Sequence, residues 1–243
     1  MIRSSVVIRS LMIKPLVMRR FVCFSGLLLL ALGMSLISPG PAAGTVSTGT
    51  AEEGLGLEII APEGSDLDLE KEYFSYFGSS EQPVIMRNPK FSLTARRIDY
   101  DRKQQELTAR GDVFLVSEEM ELRAEKLLVE LERESLTATG GFTLTTGEME
   151  LTGRMLTASL LGGVLTATEE INWRFRDFWG KAEQLVYRKD EEKVYLSGTP
   201  VAYLGENYIE GTMMVLHLET GRIIITGPVK SKMQPQGGGT GVD

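Results

Sequence analysis

Side chains able to do covalent or acid–base chemistry are few in this sequence and poorly grouped. There is one histidine, His217, and one cysteine, Cys23, which lies inside an apolar run near the N-terminus. The remaining titratable groups of note are acidic pairs, Glu118 with Glu119 and the run Asp190 to Glu192, which fall on polar tips between apolar stretches and read as solvated turns. Their spacing matches no calcium loop. No Gly-rich phosphate cradle, nucleophile elbow or HExxH is present, so the sequence predicts neither an enzyme nor a cofactor or metal site. What recurs instead is apolar side chains two residues apart, and the chemistry these can do is the burial of hydrocarbon.

Those pairs recur because the chain repeats. Cut at Phe91, Met120, Met149, Phe178 and Tyr208, it falls into units of 29, 29, 29 and 30 residues and a shortened last unit. The eighth residue of successive units is Ile98, Leu127, Leu156, Leu185 and Val215, and the tenth is Tyr100, Val129, Ala158, Tyr187 and His217. Leu107 with Ala109, Leu136 with Ala138, Leu165 with Ala167, Val194 with Leu196 and Ile223 with Ile225 follow at the same offset. Next comes glycine at 111, 140, 198 and 227, with Glu169 the single departure, and then Val113 with Leu115, Phe142 with Leu144, Ile171 with Trp173, and Val201 with Tyr203.

Residues two apart share a face only on a strand, so each unit reads as several short strands joined by polar tips such as DRKQQ, ERES and KDEEK. Glycine at the junctions permits a bend or bulge. The expected fold is all-β, an antiparallel meander. One stretch opposes it: MELRAEKLLVELERE has high helix propensity and would line Met120, Ala124, Leu127, Leu128 and Leu131 on one face of a helix. Its counterpart MELTGRMLTASLLGGVLTAT, with Gly153, Gly162 and Gly163, is a poor helix, and repeats must share one fold.

The N-terminal part differs in composition. Residues 1–43 carry five basic side chains and no acidic one, and Arg19 and Arg20 precede an apolar run, Phe21 to Ile37, and a small-residue zone, SPGPAAG. That order fits an export signal cleaved near Ala43 or Gly44; a retained membrane anchor is the alternative, and Met12 and Met18 are alternative translation starts. Residues 44–82 read as an acidic flexible spacer, with the cluster Tyr73, Phe74, Tyr76 and Phe77 able to dock on the domain that follows, residues 83–233; residues 234–243 read as a disordered glycine-rich tail. Without the leader the balance is 21 basic against 33 acidic side chains, so nucleic acid is not an expected partner.

The run GDVFLVSEEMELRAEKLLVEL at 111–131, together with LTARRIDY at 93–100 and WGKAEQLVY at 179–187, resembles the signature of the OstA-like (LptA) family of periplasmic lipopolysaccharide-transport proteins. The resemblance spans about Pro83 to Met233. It implies a twisted antiparallel β-jellyroll with an apolar interior, joined end to end by strand pairing to copies of itself or to relatives: an LptC-like component at the inner membrane and an LptD-like one at the outer. It implies lipopolysaccharide as ligand and a periplasmic location, either soluble or anchored to the inner membrane in the LptC-like case; a structural β-repeat adaptor that binds no lipid is the further alternative. The expected groove for the acyl chains of lipid A is lined by Ile98, Tyr100, Leu107, Val113, Leu115, Leu127, Val129, Leu136, Phe142, Leu144, Leu156, Leu165, Ile171, Trp173, Leu185 and Tyr187. About seven strands per sheet would make a stack of about 30 Å.

Overall fold

A computed structural model describes residues 6–8 and 57–233. The leader and anchor alternatives, apart from residues 6–8, and the C-terminal tail lie outside the described residues. Among the described residues every regular element is a strand, and no helix is long and apolar enough to cross a membrane. In chain order the strands are β1 (Val6–Ile8), β2 (Glu58–Ile60), β3 (Gly64–Asp68), β4 (Tyr73–Phe77), β5 (Val84–Asn88), β6 (Phe91–Ala95), β7 (Arg97–Asp101), β8 (Glu106–Ser117), β9 (Glu121–Glu130), β10 (Ser135–Thr146), β11 (Met149–Gly153), β12 (Met155–Ser159), β13 (Val164–Phe175), β14 (Phe178–Arg188), β15 (Lys193–Ser197), β16 (Val201–Leu204), β17 (Asn207–Glu210), β18 (Met213–His217), β19 (Arg222–Thr226) and β20 (Lys230–Lys232). The stretch 121–130, helical by propensity, is strand β9, because its Leu122, Ala124, Leu127 and Val129 are buried between neighbours on both sides.

All ladders are antiparallel, and each of the five long strands β8, β9, β10, β13 and β14 takes part in two wings. One half of each pairs in a first wing, ordered β3-β4-β7-β8-β9-β10-β12-β13-β14-β15-β18-β19, which β1 extends. The other half pairs in a second wing, ordered β2-β5-β6-β8-β9-β10-β11-β13-β14-β16-β17-β20. The register slips between Arg110 and Val113, Thr139 and Phe142, and Thr168 and Ile171, and there the chain turns from one wing into the other. At each slip two residues in a row take positive φ: Gly111 (76°) and Asp112 (51°), Gly140 (83°) and Gly141 (96°), Glu169 (67°) and Glu170 (57°). A two-residue bulge of this kind keeps the same face of the strand inward across the fold line. The result is a jellyroll folded along a row of kinks. Twelve strands per wing make a stack of about 50 Å, longer than the seven-strand expectation.

Two further expectations are corrected. The ordered unit starts well before Pro83, since β2, β3 and β4 extend both wings. The aromatic cluster does dock, since Tyr73–Phe77 pairs with β7 and Phe74 stacks on Tyr100 at 6.2 Å. A polar tie helps: the buried Asp99 carboxylate accepts from the Ser75 hydroxyl at 2.7 Å and faces Arg97 and Arg110 at 2.8 and 2.9 Å. Acidity alone therefore did not forbid order, because main-chain pairing to an existing edge supplied what the segment could not supply by itself.

The second correction concerns the last unit. Paired Cα partners Leu107↔Val129, Leu136↔Ala158, Leu165↔Tyr187 and Val194↔Leu216 advance by 29 residues each time, so the repeat has no 30-residue step and the last unit begins at Asn207. Met214 and Leu216 are the inward pair, while Val215 and His217 face outward; likewise Ala202 is buried and Val201 and Tyr203 are not. A one-residue slip exchanges the two faces of a strand.

Candidate lipid-binding interior

The inward side chains line up across the strands in continuous rows, each residue directly opposite the next. Nearest the strand tips in the first wing the row runs Tyr100, Leu107, Val129, Leu136, Ala158, Leu165, Tyr187, Val194, Leu216, Ile223. Beside it, closer to the kinks, Ile98, Ala109, Leu127, Ala138, Leu156, Ala167 and Leu185 alternate large with small. In the second wing Met86, Leu93, Leu115, Leu122, Leu144, Leu151 and Trp173 form the facing row.

Of the sixteen residues expected to line a groove, the structure brings all sixteen onto the inner faces. Fifteen are buried, and Tyr187 is half-buried against the same cluster. Ten stand in the first wing and six, Val113, Leu115, Phe142, Leu144, Ile171 and Trp173, in the second. The interior also holds residues the sequence reading passed over. Leu93, Leu122 and Leu151 occupy the third place of successive units, followed by Gly180 and Ile209 at the same spacing, so the signal was present in the repeat. Gly180 is obligatory there: a Cβ would lie 2.7 Å from the Trp173 ring and 2.0 Å from the Val201 carbonyl oxygen. Gly153 likewise makes room for Ile171 and Phe142.

This interior is apolar and excludes solvent: Ile98, Leu107 and Leu185 have no exposed area, and Leu144 only 5%. One polar atom is trapped in it without a partner, the Trp173 indole N–H, and burial pushes the Tyr100 phenol up. The two wings meet at the tips opposite the kinks. The Arg176 guanidinium, on a second-wing tip, comes within 3.3 Å of the Cβ position of Gly221 on a first-wing tip. Leu131 and Leu218, both on first-wing tips, are buried, and Met120 and Met149 pack on the core. Burial raises the pKa of the Glu119 carboxyl against the pull of Lys189. A cleft of ≈ 990 Å³ lies on the outer side of the kinks and is lined by polar and charged groups including Arg123, Glu125, Arg154 and Glu169; none of the sixteen residues except Val113 and Phe142 reaches it.

Residues 92–222, more than half of the chain, match the family model described as LptA/(LptD N-terminal domain) LPS transport protein. The chain belongs to that family. The LptA/LptD N-terminal-domain assignment makes it a lipopolysaccharide-transport-type protein and accounts for the jellyroll. No curated protein matches it. Among solved structures it is similar to the crystal structure of LptH, the LptA-homologous periplasmic component of the lipopolysaccharide transport device from Pseudomonas aeruginosa, at 13% identity, with 74% of this chain and 96% of that chain covered and a TM-score of 0.25. The family match, which falls on the repeat units themselves, carries the assignment.

Proposed function

We propose that this LptA-family chain is a periplasmic carrier that holds the acyl chains of lipopolysaccharide between its two wings and hands the lipid along a bridge from inner to outer membrane. The observation that carries this reading is the set of unbroken inward rows, apolar from end to end of the repeats. A fatty chain of about a dozen carbons brings on the order of 10 kcal/mol of gross transfer energy into such a space, more than an acidic surface can offer to an anionic lipid. The groove residues proposed are the sixteen named above. Since the wings touch each other at their tips, loading requires the tips to part, and the lipid chains then replace contacts that the wings make with each other.

Bridging uses the ends of the stack. Strand edges are joints wherever their N–H and C=O groups lack partners. At one end stand β2 and β3; at the other, β19 and β20. The edge of β19 accepts an added strand, for Val6, Val7 and Ile8 pair with Ile225, Ile224 and Ile223. Removal of the leader would free this edge for a neighbouring copy, an LptC-like partner or an LptD-like one.

The tightly packed interior favours a second reading, an adaptor that binds proteins and no lipid. Photocrosslinking separates the two. Labels at Leu144 and Trp173 are expected to capture lipopolysaccharide during active transport, whereas a label at the outward Glu121 is not. Silence at both inward positions while transport proceeds would leave the adaptor.

A further inference from the structure

On the outer face of the second wing, near its C-terminal end, one cross-strand row runs Arg174, Trp179, Tyr203, Tyr208, Lys232, each residue directly opposite the next on β13, β14, β16, β17 and β20. The indole of Trp179 stacks on the ring of Tyr203 at 4.0 Å and 10°, and Tyr203 contacts Tyr208 at 6.1 Å. Trp179 is 43% exposed, an uncommon state for a tryptophan on a sheet face. Because the stacked centroids are closer than adjacent strands at about 4.8 Å, the rings stand on edge, and the indole face that Tyr203 leaves bare looks toward the strand carrying Arg174. Neither Arg174 nor Lys232 forms an ion pair among the described residues, although Glu150 lies directly opposite Arg174 and the chain as a whole is acidic.

We propose that this row is a docking platform for an anionic saccharide, the phosphorylated sugar portion of the same lipid whose chains the interior holds. The proposal rests on the carrier reading and extends it from tails to head. An aromatic face takes the apolar C–H side of a sugar ring, and an unpaired cation at each end of a row about 20 Å long takes phosphate or carboxylate. Position supports the choice of occupant. Trp179 follows Phe178, which points inward and is buried beside Phe175 at the rim of the mouth. Two consecutive residues thus present an oily surface inside the rim and a sugar-compatible one outside it. An amphiphile whose chains enter past Phe178 has its polar head at Trp179.

The test uses the mature full-length protein and, as probe, the deacylated phosphorylated oligosaccharide of lipopolysaccharide, with its dephosphorylated form as control, titrated by calorimetry. The phosphorylated probe is expected to bind, the dephosphorylated one more weakly; Trp179→Ala lowers affinity about tenfold, Trp179→Tyr restores most of it, and Arg174→Gln with Lys232→Gln reduces its salt dependence. Thermal unfolding of each variant checks that the sheet is intact. Failure of the wild type to bind the phosphorylated probe, or equal affinity in Trp179→Ala, overturns the platform. Lipid crosslinking at Leu144 in the Trp179→Ala variant reads the interior separately: persistence there with loss of saccharide binding supports the platform, whereas loss of crosslinking in the wild type with saccharide binding intact rejects the carrier reading and leaves the platform standing.

Discussion

Two kinks of the fold line, at Gly140–Gly141 in β10 and at Glu169–Glu170 in β13, have the same backbone and opposite side chains. At Gly140 the missing Cβ makes a seat: the Glu125 side chain from the neighbouring strand lies over it, with its Cβ 2.7 Å from where a Gly140 Cβ would stand. Gly111 and Gly198 seat Arg96 and Glu183 in the same way. At Glu169 the side chain is present, exposed, at φ 67°, and Arg154, the residue one repeat after Glu125, reaches sideways to Glu170 at 2.8 Å. Identical folding at both places shows that the repeat, not the glycine, dictates the kink. Glycine lowers its cost and lets a charged neighbour cover it.

The largest effect should come from converting the first kink toward the second. Gly140→Ala places a Cβ in the left-handed region, at about 1–2 kcal/mol, and drives it against Glu125, so a loss of about 3 kcal/mol and about 9 °C in Tm is expected by thermal unfolding. A variant unfolding within 1 °C of wild type would mean that the seat is soft. The reverse change, Glu169→Gly, removes left-handed strain from an exposed residue and should stabilise by about 1 kcal/mol, or about 3 °C. A drop in Tm would show that Glu169 makes a contact worth more than its strain.

The contrast also marks what the sequence could disclose. The repeat was legible because every unit solves the same problem: Leu107, Leu136 and Leu165 stand 29 apart, face one way, and cross the kinks without changing face. Repetition even outvoted the helix propensity of Glu121–Glu130. Where periodicity broke, reading failed. The N-terminal strands pair with offsets that depart from 29, since the inserted SSEQ at 79–82 shifts Tyr73–Phe77 against β7. In the last unit the repeat starts at Asn207 and not at Tyr208, so that Leu216 takes the inward place and His217 faces outward. The sixteen inward positions followed from alternation alone. Alternation does not distinguish a dry core from a slot that opens, because both need the same apolar face; the aromatic row outside the rim was hidden for the opposite reason, as cross-strand neighbours are far apart in sequence.

The smallest effect tests the sideways reach of Arg154. The Arg154 guanidinium, by hydrogen bond and by charge, holds the Glu170 carboxyl below the usual carboxylate range. A group whose folded pKa is lowered adds stability above its unfolded pKa, and that contribution fades as pH falls through the lowered folded value. Arg154→Gln should therefore cost a little at neutral pH and nothing once the solution is acidic enough to protonate Glu170 in the folded wild type. Both side chains are well exposed, at 61% and 69%, so added salt should shrink the neutral-pH difference as well. A Tm gap between variant and wild type that is the same at pH 7 and at pH 2 would place the role of Arg154 elsewhere, in its backbone N–H, which donates to the Glu169 carbonyl at 3.1 Å and which no side-chain substitution removes. In that case the second kink would be held by its main chain alone, and Glu169→Gly would gain stability undiminished in the Arg154→Gln background.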